Sequence, residues 1–323
     1  MKKSFILFVL AIHGLCAAGP YAPAAGQPGS TAIPIPADVN DVSVFAGWAT
    51  GAVVERGLMQ IDDPSQGYVS HGEPNDALGF PQTASQSIEG VVSLGDGGSI
   101  VLTFENPIAD GPGFDFAVFE NGFTVIAPNK MFLELAFVEV SSDGVHYQRF
   151  PAVSLTQTDT QIPNLGTIDT TDIHNFAGKY RRGYGTPFDL SELREVNEFV
   201  DVSEITHVRL VDVVGILQNP YASYDSLGTI INDPWKTNFE TGGFDLDAVG
   251  VIHEKTLSAD ITGDGIVNFA DMAVLAAAWQ ADLQDPRWNY QCDLEPFIDD
   301  VIDVNDMRVM MSQWLMTETW YVE

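Results

Sequence analysis

The residues best suited to chemistry are oxygen-bearing side chains at alternate positions of residues 260–271, which read DITGDGIVNFAD. This spacing fits a twelve-residue calcium-binding loop. Gly265 occupies the sixth position, where the chain turns in a conformation that residues with a Cβ resist. Because calcium takes about six to eight oxygen ligands, the segment predicts one calcium site. The predicted ligands are the side chains of Asp260, Thr262, Asp264, Asn268 and Asp271 and the backbone carbonyl of Ile266.

A second, related segment follows the first. The pattern D-M-x-V-(L or M)-x-x-x-W begins at Asp271 and again at Asp306, 35 residues later. Two extra residues fall around positions 296–298, and Asp300 stands where the first loop has glycine. Both departures leave calcium binding at the second loop an open question. Its predicted ligands are Asp293, Glu295, Asp299, the Val301 carbonyl, Asp303 and Asp306.

Each loop must be positioned by the helix that follows it. Met272, Leu275, Ala276 and Trp279 recur at helical spacing after the first loop, and Met307, Met310, Met311 and Trp314 recur after the second. We expect both tryptophans to pack between the two helices rather than to bind a ligand.

Two EF-hand-like loop–helix units of this size resemble a type I dockerin, and the resemblance covers about residues 258–320. It implies a small all-α domain at 260–323 that docks, in a calcium-dependent way, onto cohesin modules of a scaffold or cell-surface protein, as in cellulosome-like assemblies. The implied cohesin contacts are Phe269 and Ala270 in the first unit and Val304 and Asn305 in the second. Because these pairs differ, equivalent binding in two flipped orientations is not expected.

Residues 42–253 predict a separate β domain, joined to the C-terminal domain by a short linker at 254–259. Apolar and polar residues alternate in several runs, which favours an antiparallel β-sandwich. Segments 93–104, 138–150 and 243–252 resemble the jelly-roll sandwiches of galactose-binding-like and carbohydrate-binding modules. The predicted strands are 99–104, 114–119, 132–141, 206–213 and 244–252.

Three functions are open for the β domain. A non-catalytic surface or carbohydrate-binding module would use ring-bearing residues such as Tyr180, Tyr184 and Trp235 as a ligand surface. By analogy with jelly-roll sandwiches, Asp245 and Asp247 could hold a structural calcium, although plain strand alternation explains the pair more simply. The alternatives are a glycoside hydrolase or polysaccharide lyase that uses carboxylates, and a purely architectural protein. The sequence contains no G-x-S-x-G, H-E-x-x-H or phosphate-loop motif.

The N-terminus and the charge indicate an exported protein. Lys2 and Lys3, an apolar run and small residues near position 18 predict a signal peptide at 1–18, followed by an Ala/Pro/Gly-rich linker at 19–41. The residues before Cys16 match a lipoprotein motif poorly, so a lipid anchor is not expected. The net charge of −31 disfavours nucleic acid as a partner. No later segment is apolar for long enough to predict a membrane span.

Overall fold

The computed structural model describes most of the chain outside its N-terminus: residues 19–38, 41–82, 90–127, 129–194, 196, 199–218, 220–295 and 299–321. The predicted signal peptide at 1–18, with Cys16, lies outside these residues. So does the predicted insertion at 296–298.

Among the described residues, the segment 33–251 is mainly β, and two α-helices follow it. The strands are β1 Ile33–Pro34, β2 Gly47–Trp48, β3 Gly51–Glu55, β4 Val92–Ser93, β5 Ser99–Ile108, β6 Phe116–Glu120, β7 Phe123–Ala127, β8 Lys130–Phe132, β9 Ala136–Ser141, β10 Gln148–Arg149, β11 Val153–Ser154, β12 Ile168–Asp169, β13 Ile173–His174, β14 Phe176–Ala177, β15 Tyr184–Phe188, β16 Ile205–Asp212 and β17 Asp245–Val251. The helices are α1 Phe269–Ala277 and α2 Val304–Ser312.

Two six-stranded antiparallel sheets form the body of the β domain. The first has the order β1-β15-β6-β17-β2, with β4 also paired to β17, and the second has the order β10-β9-β16-β5-β3, with β14 paired to β9. Strands β7, β8 and β12 form a smaller sheet, and β11 pairs with β13. The prediction of a mainly β, antiparallel fold is therefore confirmed.

One apolar cluster draws its members from both large sheets. Phe116 and Val249 come from the first sheet, and Leu102 and Val208 come from the second. Along most of β16, buried apolar residues such as Val208 and Leu210 alternate with half-buried polar ones, as the sequence predicts, but at its end Val211 is half-buried and Asp212 is buried. In β17 every residue is buried, because Leu246 and Val249 pack into the shared core while Ala248 packs into a second apolar cluster.

Residues 19–38 pack against the β domain, although their composition predicts a linker. The Tyr21 amide donates to the Thr171 carbonyl (3.1 Å), Ala24 is fully buried, and β1 pairs with β15. Backbone pairing needs no hydrophobic periodicity, so an Ala- and Pro-rich segment can join a sheet edge without a pattern that reveals it.

The two helices pack around a small core of their own. Leu275 and Met310 are buried in it with Val267 and Ile302 from the loops, and Trp279 and Trp314 lie half-buried at its edge. Leu257 and Ala259, from the predicted linker, also belong to this core. Among the described residues, neither helix has the length and apolar character needed to cross a membrane.

Candidate functional site

The first loop brings three of its predicted ligands together. Carboxylate oxygens of Asp260, Asp264 and Asp271 lie within 4.8 Å of one another. Asp260 and Asp271 are buried, whereas Asp264 is exposed. Three anionic oxygens at this separation suit a hard divalent cation, and calcium prefers such ligands.

The loop is shaped by hydrogen bonds to these same carboxylates. Asp260 accepts from the amides of Asp264 (3.1 Å) and Gly265 (2.8 Å). Gly265 has a φ of +85°, the left-handed conformation that its position requires. Asp271 accepts from the Thr262 amide (2.9 Å) and the Asn268 amide (2.8 Å). Each carboxylate is thus held in place by backbone donors and keeps lone pairs for a cation.

Electrostatics in the first loop also favour a cation. Burial is the main cause that raises the pKa of Asp260 to about 6, and the nearby carboxylates of Asp271 and Asp264 raise it further. A bound calcium ion would offset both effects, because it neutralises the repulsion between the three carboxylates.

The remaining predicted ligands of the first loop make internal bonds. The Thr262 hydroxyl donates to Asp271 (2.9 Å). The Asn268 side chain accepts from the Ala270 amide (2.7 Å) at the start of α1 and donates to the Ile266 carbonyl (3.3 Å). Asn268 therefore acts as a helix cap as well as a candidate ligand.

The second loop also gathers carboxylates. Oxygens of Asp293, Glu295 and Asp299 lie within 4.8 Å of one another. Asp293 Oδ1 is buried without a hydrogen-bond partner among the described atoms, which is costly unless a cation or water completes its shell. Asp306, Asp303 and Val301 belong to the same loop, but the group of converging carboxylates does not include Asp306.

The second loop repeats most backbone bonds of the first. The Asp300 amide donates to Asp293 (2.9 Å), as the Gly265 amide does to Asp260. The Asp303 amide donates to Asp306 (2.6 Å), and the Asp303 side chain caps α2 through the Asn305 amide (2.7 Å). Asp300 has a φ of +61°, so an aspartate adopts the conformation that glycine supplies in the first loop.

The implied cohesin contacts lie at the beginning of each helix. Phe269 is 79% exposed and Val304 is 51% exposed. The rings of Phe269 and Trp314 form a T-shaped contact with 5.1 Å between their centroids. Ala270 is exposed and Asn305 is half-buried. Exposed apolar side chains next to a loop are suited to a protein interface.

The C-terminal segment ties the helical domain to the β domain. The Glu318 carboxylate accepts from the amides of Thr256 and Leu257 (2.8 Å each) and from the Thr256 hydroxyl (2.6 Å). The Trp320 indole donates to the Glu254 carbonyl (2.8 Å). The linker at 254–259 is therefore bonded to residues more than 60 positions away.

The three ring-bearing residues predicted as a ligand surface differ in their exposure to solvent. Tyr180 is 1% exposed, and its hydroxyl lies 2.8 Å from the Thr31 hydroxyl. Trp235 is 9% exposed and donates its indole N–H to Asp96 (3.2 Å). Tyr184 is half-buried, and the guanidinium carbon of Arg181 lies 4.6 Å from the centre of the Tyr184 ring. In this conformation neither Tyr180 nor Trp235 offers a ring face to a sugar.

Asp245 and Asp247 are both buried at the start of β17. Asp245 accepts from the Ser93 hydroxyl and the Asn121 amide group (2.9 Å for the latter). Asp247 accepts from the Gln82 amide (2.9 Å). Neither belongs to a group of three converging acidic ligands in the described part of the chain.

Asp245 lines a cavity of about 530 Å³, which we call the acid pocket. Its wall combines two carboxylates, amide and hydroxyl side chains, one arginine and three phenylalanine rings. The lining residues are Asn121, Phe123, Phe132, Glu134, Asn164, Leu165, Arg182, Thr237, Phe239, Thr241 and Asp245.

Glu134 is the most unusual residue of the acid pocket. It is 6% exposed, and its carboxylate accepts no hydrogen bond from any described residue. Burial raises its pKa well above the ordinary value, and the carboxylate of Asp245 adds to the effect. The carboxylate of Glu120 also raises the pKa of Glu134. One oxygen of Glu120 has no hydrogen-bond partner within the described structure, and burial raises the pKa of Glu120 as well.

The sequence reasoning did not single out Glu134. The available signal was an isolated acid inside the apolar run FLELAF, residues 132–137. Strand alternation places such an acid in water, but residues 133–141 are buried throughout. A third acidic group, Asp110, Asp115 and Asp189, differs from the pocket because Arg194 pairs with Asp110 and His253 lies 2.7 Å from Asp115.

No protein-family model matches this chain, and no curated protein matches it. The functional argument therefore depends on the chain's own residues and their geometry.

Proposed function

We propose that this is an exported docking protein, in which a dockerin-like, calcium-binding C-terminal domain carries the β domain to a cohesin-bearing scaffold or cell surface. The observation that carries the proposal is the convergence of Asp260, Asp264 and Asp271 in a loop whose glycine has the required φ. Calcium, when bound, would supply the positive charge that these carboxylates lack and would hold the loop in one shape.

Two further features support docking as the role of the domain. The second unit repeats the capped helix and the carboxylate-centred loop, as expected of a duplicated domain. Phe269 and Val304 are exposed apolar residues at equivalent positions of the two units, where the dockerin resemblance implies cohesin contacts.

For the β domain we propose a jelly-roll-like sandwich that binds polysaccharide without cleaving it. The shared core of the two large sheets and the acid pocket support this role. The alternative is a glycoside hydrolase or lyase, which Glu134 and Asp245 favour because both acids line one pocket. A purely architectural domain would bind no sugar at all.

Calcium titration and cohesin capture test the docking role. Isothermal titration of the full chain with calcium chloride should give one tight site at the first loop, and a panel of immobilised type I cohesins should retain the chain in calcium but not in EGTA. Absence of calcium binding would contradict the proposal, and so would retention that EGTA does not change.

Polysaccharide binding tests the β domain separately. The full chain is incubated with insoluble cellulose, xylan, mannan and chitin, and reducing sugar is assayed in the same samples. Retention without release supports a binding domain, release supports the enzyme, and neither result leaves the architectural role.

A further inference from the structure

The acid pocket is lined by the Glu134 carboxylate and the Arg182 guanidinium, which form no hydrogen bond with each other in the described structure. Glu134 is more than nine-tenths buried and accepts no hydrogen bond from the described residues. The Arg182 guanidinium has no ion pair in the described structure, although the protein carries a net charge of −31. Buried polar groups are normally paired, so the open Glu134 carboxylate indicates a ligand that completes it, and the half-buried Arg182 lines the same cavity.

The geometry disfavours a bare metal ion as this ligand. Three groups of converging acidic ligands occur among the described residues, and none includes Glu134 or Asp245. The cavity of about 530 Å³ is many times the volume of about 30 Å³ that one water molecule occupies in the liquid. Of the two lining carboxylates, Asp245 already accepts from Ser93 and Asn121, so the described wall does not offer a calcium ion a cluster of open anionic oxygens.

The charges of the wall also disfavour an organic cation. Arg182 lines the same cavity as Glu134 and Asp245, and its positive charge would repel an ammonium group. An uncharged ligand with hydroxyl groups fits better, because hydroxyls both donate and accept hydrogen bonds. Glu134 and Asp245 would accept from such a ligand, and Arg182 would donate to it.

The apolar part of the wall fits one face of a sugar ring. Phe123 is 44% exposed and stacks on Phe132 at 4.9 Å, and Phe239 is 47% exposed. A pyranose presents C–H groups on its faces and hydroxyls at its rim, so it can lie against phenyl rings while its rim meets polar groups. The volume is also within the range of about 300–1,000 Å³ that is usual for small-molecule pockets.

We infer that the acid pocket binds a neutral sugar unit, with Phe239 against the ring and Glu134 and Arg182 at its hydroxyls. The inference rests on the carbohydrate-binding role proposed above and assigns that role to a site. It depends on nothing in the C-terminal domain. The buried position of Glu134 makes it a selective group, because a ligand without a donor would leave this carboxylate unpaired.

Calorimetric titration of the full chain tests the site. The probes are glucose, galactose, mannose and xylose with their β-1,4-linked tetrasaccharides, where these exist, and choline serves as a cationic comparison. We expect saturable binding of at least one sugar, weakened at least tenfold by Glu134→Gln and by Phe239→Ala. Phe199→Ala is the matched control, since Phe199 has an exposure (56%) close to that of Phe239 (47%) but lies outside the pocket.

The outcomes separate the site from the broader role. If no sugar binds, or if choline binds through Glu134 and sugars do not, the inference is overturned. If sugar or polysaccharide binding is unchanged in both pocket variants, the carbohydrate role stands and this site is overturned. Phe239→Ala changes a half-exposed ring, so its result can be interpreted even if Glu134→Gln fails to fold.

Discussion

Gln280 and Leu315 lie 35 residues apart and share a left-handed backbone conformation, with φ values of +60° and +63°. The Gln280 amide donates to the Ile302 carbonyl, and the Leu315 amide donates to the Val267 carbonyl, each at 2.8 Å. The third residue after each helix is therefore bonded to the loop of the other unit. The two loops are coupled through these reciprocal bonds, so order in one loop supports order in the other.

Loss of one first-loop carboxylate should remove stabilisation by calcium. Asp264→Ala deletes an exposed ligand and leaves the core of the domain unchanged. In thermal unfolding followed by tryptophan fluorescence, calcium should raise the Tm of the parent domain but not that of the variant. Asp159→Ala removes the same charge from an exposed position of the β domain and should keep the full calcium response. An equal response in Asp264→Ala would refute the assignment of the first loop.

The left-handed conformation of Asp300 gives a test of the second loop. Asp300→Gly and Asp300→Ala remove the same charge, but alanine pays the conformational cost of a positive φ. We expect the glycine variant to be more stable than the alanine variant by about 1 kcal/mol in urea unfolding without calcium. Equal stabilities would show that residue 300 does not hold this conformation in solution.

The two docking faces should contribute unequally to cohesin binding. Phe269 contacts Trp314, and the neighbouring Leu315 and Met316 are 63% and 48% exposed. At the positions 35 residues earlier, Gln280 is polar and Ala281 is buried, so Val304 lacks a comparable apolar surround. Phe269→Ala should weaken binding at least tenfold, which is typical of a buried aromatic hot spot. Val304→Ala should weaken it less than threefold, and equal losses in surface plasmon resonance would contradict this asymmetry.

Cys292 offers a chemical probe of calcium-dependent folding. It is fully buried beside the second loop, and burial raises the pKa of its thiol to about 11. Because the thiolate is the reactive form, iodoacetamide at pH 8 should label the calcium-loaded chain very slowly. EGTA should accelerate labelling at least tenfold, because removal of calcium should unfold the domain. Cys292→Ser identifies the labelled site, and a rate independent of calcium would argue against metal-linked folding.

Lys179 should make the β domain more stable at alkaline pH. Burial lowers its pKa to about 8, and its ammonium donates to the Ile173 carbonyl (2.6 Å). The unfolded chain binds the proton up to about pH 10.4, so between these values it holds more protons than the folded chain. Stability from this group therefore rises as the pH increases from about 8 to 10. Lys179→Met should flatten that rise in urea unfolding, whereas Lys236→Met, at an exposed lysine, should leave it intact.

The convergence of carboxylates in residues 260–271 could be predicted from sequence because its geometry is local. Twelve consecutive residues contain the predicted ligands, the turn glycine and the cap of the following helix, so spacing alone relates side chains to one centre. The strands of the large sheets were recognisable for a similar reason, since period-two alternation is a property of each run by itself.

The acid pocket could not be predicted in this way. Glu134, Arg182 and Phe239 lie in three separate segments and meet only through strand pairing and loop packing. The burial of Glu134 is also a tertiary effect, because this residue lies in the break between β8 and β9, where strand alternation no longer applies. Likewise, the Gly19 amide donates to the Thr171 hydroxyl and the Tyr21 amide donates to the Thr171 carbonyl, and neither bond leaves a trace in composition.

The Glu318 carboxylate, bonded to Thr256 and Leu257, places the entry and exit of the helical domain side by side. A domain whose two ends lie close together can be inserted into a surface loop of another protein without forcing the two sides of that loop apart. The segment from about residue 254 to residue 320 therefore has the geometry of a portable tag. Spliced into an exposed loop of an unrelated protein, it would leave the host's backbone continuous on either side, and under the proposed docking role it would give the host a calcium-dependent attachment point.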